Sequence, residues 1–224
     1  MHHIILPELG LPAHVAVMIY IVIGLGVLAF IAGKNPQLIP GKLQSIFEFF
    51  IEAFVRLVDE TMGHRGKKYF PIVMTFVLYI FFSNLMGLVP GMLPPTANLN
   101  STLGLALIVF FATHIIGIKE HGLPYLKHFV GPVWWLAPLM IPIEIIGHLA
   151  RVLSLSLRLF GNIMGHEQVL GVLLILMTIP ALMAIAYPLI LISTALGVIV
   201  IFLQTFIFAL LTMMYFGGAL EESH

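Results

Sequence analysis

The apolar residues of this chain do not alternate with polar ones at the period of a strand; they run in long blocks. Residues 13–32, 70–89 and 103–118 carry no Asp, Glu, Lys or Arg, and two longer blocks follow at roughly 142–179 and 188–220. About 20 such residues cross a bilayer as a helix. Between the first two blocks, residues 43–62 have a different pattern. Phe47, Phe50, Ile51, Phe54, Leu57 and Val58 stand against Glu48, Glu52, Arg56, Asp59 and Glu60, which is an amphipathic helix. It either lies at the membrane interface or packs on another subunit. Pro180 and Pro188 punctuate the gap between the last two blocks. The pattern predicts an all-α, polytopic membrane protein with about five spanning helices and one amphipathic interfacial helix. A helix of about 38 residues is roughly 57 Å long against a hydrocarbon core of about 30 Å, so the last two helices are expected to tilt steeply. The expected organisation is a single membrane domain, 1–224. Residues 1–68 hold the first span and the amphipathic helix, 69–130 a helical hairpin, and 131–224 the tilted pair.

Composition strengthens this picture. Of the 224 residues 60% are hydrophobic and 9% charged, and the mean hydropathy is +1.10. A soluble domain carries about 25% charged residues, so this one could not cover its surface in water. Net charge is zero with no basic tail, which argues against nucleic acid as a partner. There is no cysteine, which excludes disulfides and thiol chemistry. The N-terminus lacks the basic region of a cleaved signal peptide, so the first block is expected to be kept as a span. Lys34, Lys42, Arg56, Arg65, Lys67 and Lys68 fall between spans one and two, and Lys119 and Lys127 between spans three and four. By the positive-inside rule both loops are cytoplasmic, the N-terminus is outside and the C-terminus inside. Eight of the ten Lys and Arg obey this scheme; Arg151 and Arg158 lie inside the fourth block.

Those two arginines belong to a stripe. Glu144, Gly147, Arg151, Ser154, Arg158, Gly161 and Gly165 recur at spacings of three and four, which puts them on one helix face. Small residues there let other helices approach closely. Estimates for a central arginine in a membrane run from about 2.5–3.5 to 10–17 kcal/mol, so such a residue is paired or functional. Arg151 pairs with Glu144 or snorkels to the interface. For Arg158, Glu167 is on the far side of the same helix (about 180° round), so its partner is expected to be a carboxylate of another chain. Asn162, one turn on, steers that guanidinium, holds water, or bonds a neighbouring helix. His166 and Glu167 form either a proton relay or a histidine satisfying a buried acid. Gln204 is the strongest polar break in the last helix and is expected to face the fourth. Glu144 and His148 line a proton exit, unless Glu144 only balances Arg151. The histidines at 2, 3, 14, 64, 114, 121 and 128 are dispersed, so no metal site is expected.

The stretch LSLRLFGN with Glu167 five residues after its asparagine resembles the signature of subunit a of the bacterial F-type, rotary ATP synthase. So do NLMGLVP at 84–90 and the ending with Gln204 and FIFALLTMMYF. The likeness covers most of the chain and is strongest from about 142 to 220. It implies a stator subunit of the membrane sector in a bacterial inner membrane, forming two offset proton half-channels against a rotating ring of carboxylate-bearing c-type subunits. It also implies b-type stalk subunits as partners, the catalytic head indirectly, and no cofactor. By resemblance Arg158 is the essential residue, Asn162, Glu167 and Gln204 belong to the proton pathway, and Glu144 to the opposite access route. Many bacterial members carry a histidine on the last helix two turns before the glutamine. Here that position is Gly197, and His166 stands where those members have glycine.

Two other classes compete. A proton-coupled transporter would use similar residues but is built on inverted repeats and broken helices, and no repeat is present. An inert assembly subunit would tolerate loss of Arg158. No nucleotide site is found: Gly33-Lys34-Asn35 lacks the glycine spacing and the Ser/Thr of a P-loop, so the chain is expected to be non-catalytic by itself.

Overall fold

The computed structural model describes residues 12–33, 42–89, 92, 94–122, 125 and 137–221. Lys34, Lys127, both chain ends, and the side chains of Lys42 and Phe47 lie outside the described residues. Every regular element among them is a helix: α1 Ala13–Gly33, α2 Lys42–Met62, α3 Phe70–Met86, α4 Leu99–His121, α5 Ala137–Leu176 and α6 Met183–Leu220. Short 3-10 turns fill His64–Tyr69 and Pro95–Ala97. Four helices are long and apolar enough to cross a membrane, and the apolar part of α1, His14–Phe30, is shorter.

Local chemistry sets the ends. Asn98 caps α4, its Oδ1 accepting from the Asn100 amide at 2.9 Å, so the helix starts before the apolar block does. Gly63 and Gly122 end α2 and α4 with φ of 67° and 66°, a region where a Cβ would clash. Two expected starts are corrected. Pro142 and Pro188 do not open their helices; both lie inside, α5 starting at Ala137 and α6 at Met183. Proline removes a single backbone donor, and this close to a helix start only one bond is lost, which membrane helices tolerate. The turn between the two helices is at 177–182, around Pro180. With 40 and 38 residues, α5 and α6 are about 60 and 57 Å long. A straight rod of that length stays inside a core of about 30 Å only when inclined by roughly 60°.

Helix α6 is the centre of the packing and touches α2, α3, α4 and α5. Its buried face runs through Gly197, Ile201, Gln204, Phe208, Thr212 and Phe216 at spacings of three and four. Phe208 meets Phe76 of α3 with ring centroids 6.2 Å apart. A Cβ on Gly217 would come within 3.1 Å of the Thr61 carbonyl, so glycine permits the close crossing of α2 and α6. The second half of α2 is therefore seated on this chain, with Val58 and Met62 buried, while Phe49, Phe50 and Ile51 remain exposed. At the start of α3, Tyr69 Oη donates to Glu120 of α4 at 2.6 Å and Lys68 reaches the same carboxylate at 3.0 Å. That ties the two ends of the expected α3–α4 hairpin together.

Phe208 is 1% exposed. Phe208→Ala should destabilise the subunit by about 3–5 kcal/mol, read as a clear drop in the melting temperature of the detergent-solubilised protein.

Candidate functional site

One face of α5 is clamped. Val152, Leu155, Ser156, Leu159 and Ile163 are buried where α5 packs on α4 and α6. Arg158 lies roughly 120° round the helix from the middle of that face, so seating the leucines turns the guanidinium outward. Arg151, Ser154, Arg158, Gly161 and Gly165 are all exposed, and Glu144 and Gly147 half-buried. A Cβ added at Gly147, Gly161 or Gly165 would meet nothing within 4 Å. From Ser154 to Gly165 the stripe thus faces away from the rest of the described residues. Arg158 sits close to the midpoint of α5. Among the described residues none forms an ion pair or hydrogen bond with it.

Towards the start of α5 lies a first polar cluster. Glu144 Oε1 is 3.3 Å from His148 Nε2. The expected Glu144–Arg151 pair is absent: four residues bring His148 onto the carboxylate, while the Arg151 guanidinium lies over the Tyr215 ring of α6, 5.6 Å from its centroid. That is a cation–π contact. The His148 and His114 rings are 4.8 Å apart, and His114 Nδ1 is 3.0 Å from Tyr125 Oη. His148, Arg151, His114 and Tyr215 line a small open cleft between α4, α5 and α6.

Towards the other end lies a second cluster. Asn162 Nδ2 donates to Gln204 Oε1 at 2.8 Å, a helix-to-helix bond that brings Gln204 onto α5. His166 packs on Gly197: a Cβ there would fall 2.5 Å from the ring's Cε1 and Nε2. The imidazole on α5 fills the space that a larger residue on α6 would take. His166 and Glu167 line a small cleft with Asn84, Gly87 and Ile163. Asn84 is 1% exposed and its Oδ1 accepts from Thr96 at 2.8 Å. Buried without a partner among the described residues are Asn84 Nδ2, His166 Nε2 and Gln204 Nε2.

The two clefts share no lining residue, and no α5 residue between 155 and 163 lines either. In that interval Leu159 is 0% and Ser156 1% exposed, and Ser156 shares a hydrogen bond of 3.1 Å with Thr102 of α4. Arg158 stands at the same height, on the outside.

The sequence profile of the family described as ATP synthase A chain matches residues 14–217. The chain belongs to that family. It is 52% identical over 219 residues to ATP synthase subunit a 1 of Syntrophotalea carbinolica, covering 98% of this chain and 90% of that one. It is 51% identical over 204 residues to ATP synthase subunit a of Geobacter sulfurreducens, covering 91% and 86%. Against ATP synthase subunit a of Desulfosudis oleivorans it is 50% identical over 208 residues, covering 93% and 86%. As a member of the ATP synthase A chain family it is a multi-pass protein of a bacterial membrane.

The site holds residues that sequence reasoning left out. Asn84 and Gly87 were visible only inside the NLMGLVP run. Tyr215 was visible only inside the FIFALLTMMYF ending, and Tyr125 carried no signal beyond its type. His114, a lone imidazole in the apolar α4, was set aside as one of several scattered histidines.

The fit of His166 against Gly197 is testable. Gly197→Val should destabilise the protein by displacing the ring, and His166→Ala should relieve most of that loss. The coupling, about 1–2 kcal/mol, is measured as a double-mutant cycle of melting temperatures in detergent.

Proposed function

We propose that this chain is the stator subunit of the ATP synthase membrane sector, with two offset proton half-channels that meet a ring of carboxylate-bearing c-type subunits across the α5 stripe. Membership of the family places it in the proton-translocating membrane sector, which sets aside the transporter and inert-subunit readings. The observation that carries the finer reading is the pair of separate clefts, one on each side of the height at which Arg158 stands.

The proton enters from outside through the second cleft, past Asn162, His166, Glu167 and Gln204. Buried polar atoms such as Gln204 Nε2 and His166 Nε2 are the kind that water satisfies, and water carries protons. The incoming proton neutralises a ring carboxylate, which then turns through lipid without the penalty of a bare charge. After nearly a full turn the acid reaches the first cleft, where Glu144 and His148 lead the proton to the cytoplasm. A guanidinium stays charged in proteins. Arg158 therefore attracts the ionised ring acid and favours release of its proton, and its positive charge opposes a direct leak from one cleft to the other. Leu159 and the Ser156–Thr102 contact close the inside of the helix at that height. Each charge crossing yields about 2.3 kcal/mol per 100 mV, which rotation passes to the catalytic head; b-type stalk subunits hold the stator still. The N-terminus is outside and the C-terminus cytoplasmic in this reading.

Arg158→Ala in the reconstituted enzyme should lose proton-driven ATP synthesis entirely, and Arg158→Lys should lose it too, because an ammonium lacks the planar fork and can give up its proton. Synthesis at wild-type rate in the alanine variant would sink the scheme. A cysteine at Ser154, exposed on the stripe, should form a disulfide with one on the facing ring helix under mild oxidation. Failure across all turns of that helix would mean the stripe faces elsewhere.

A further inference from the structure

We propose that His114 of α4 carries protons in the cytoplasmic half-channel, paired with His148 of α5, so that the exit path runs between two helices rather than along α5 alone. This deepens the half-channel reading and rests on it.

The observation is a row of titratable groups contributed from separate parts of the fold. Tyr125 Oη is 3.0 Å from His114 Nδ1, the two imidazole centroids are 4.8 Å apart, and His148 Nε2 is 3.3 Å from Glu144 Oε1. The side chain of Glu144 is 42% exposed and that of His148 only 15%, so the row leads from inside the protein to its surface. His114 and His148 both line the first cleft. Packing alone does not call for His114. Its α4 neighbour Phe110 lies with its ring centroid 4.5 Å away, and residues 103–118 hold no other histidine or charged residue. An apolar side chain would fill the place without the penalty of burying a polar ring.

The groups facing the pair are Glu144 and Arg151 from α5, Tyr215 from α6 and Tyr125 after α4. Arg151, held over Tyr215, already supplies a permanent positive charge to this cleft. What the imidazoles add is the ability to take up a proton and give it back. In the step, the O–H of the ring acid breaks and its proton, delivered through water, forms an N–H bond on one imidazole. An N–H bond of that ring breaks as the proton passes to the other imidazole, and Glu144 or bulk water takes it from there. No electrons change hands, and both rings end neutral.

The test uses the whole enzyme in inverted vesicles. After removal of the catalytic head, passive proton flux is driven by a potassium diffusion potential with valinomycin. His114→Leu, which keeps the apolar packing, should cut the flux roughly tenfold or more, and His114→Gln, polar but unable to titrate, should do the same. In His114→Ala, free imidazole added on the cytoplasmic face should restore much of the flux, which a packing defect would not allow. Wild-type flux in the glutamine variant overturns the proposal and decides the matter even if the leucine variant fails to assemble. A loss in the leucine variant with no imidazole recovery in the alanine variant also overturns it, leaving His114 a packing residue. Glu144→Gln and Arg158→Ala measured alongside separate the two ideas. If Glu144→Gln lowers the flux and Arg158→Ala abolishes synthesis in vesicles that keep the head, while the His114 variants conduct normally, only this inference falls; if all conduct normally and Arg158→Ala still synthesises in vesicles that keep the head, the half-channel reading falls with it.

Discussion

An ion in hydrocarbon must be answered by something, and the described residues of the chain do not answer Arg158. The guanidinium stands near the midpoint of α5, exposed, with no acid of the described chain bonded to it. The rest of the architecture follows from keeping it so. Leu155, Leu159 and Ile163 fix the rotation of α5 by being buried, and the glycines beside Arg158 leave room for a foreign helix. On the proposed reading the missing counter-charge belongs to a partner that comes and goes.

Helix α6 supplies what the other polar residues of α5 need. Asn162 finds Gln204, His166 finds the space over Gly197, and Arg151 finds the face of Tyr215. Each contact removes a polar group from competition for Arg158. The contacts also draw the polar residues into two groups with apolar packing between them. Between the groups Phe208 and Leu159 are buried, 1% and 0% exposed; on the proposed reading a proton has to leave the chain to pass from one group to the other. That is the physical content of a half-channel: conduction through the protein is blocked where conduction through a moving partner is offered.

On the proposed reading the second cleft needs an imidazole at a place in space rather than at a place in the sequence. Two helices packed face to face offer that place from either side, provided the opposite residue is small. A Cβ at Gly197 would overlap the ring, so the two positions are bound to each other.

The order and nature of the helices were legible in the chain, because the solvent is the bilayer and every backbone group must be bonded within its own helix. Blocks of apolar residues then become helices with little freedom, and α1 to α6 lie where the blocks do. The stripe through Arg158 was legible too, since helical phase is local arithmetic. Helix starts were less so: Pro142 and Pro188 read as boundaries, yet each costs one bond that the first turns can lose. Most partners were not legible. Glu144 had Arg151 and His148 both in reach along its own helix, and only the packing of α6 drew Arg151 onto Tyr215 and left the carboxylate to His148. His114 gained its meaning from α5 crossing α4 beside it. The sequence by itself determined which segments enter the membrane and which face of α5 is polar, because both depend on local spacing and burial. Only the tertiary structure decided which polar groups meet, because distances between helices are set by side-chain packing that no periodicity encodes.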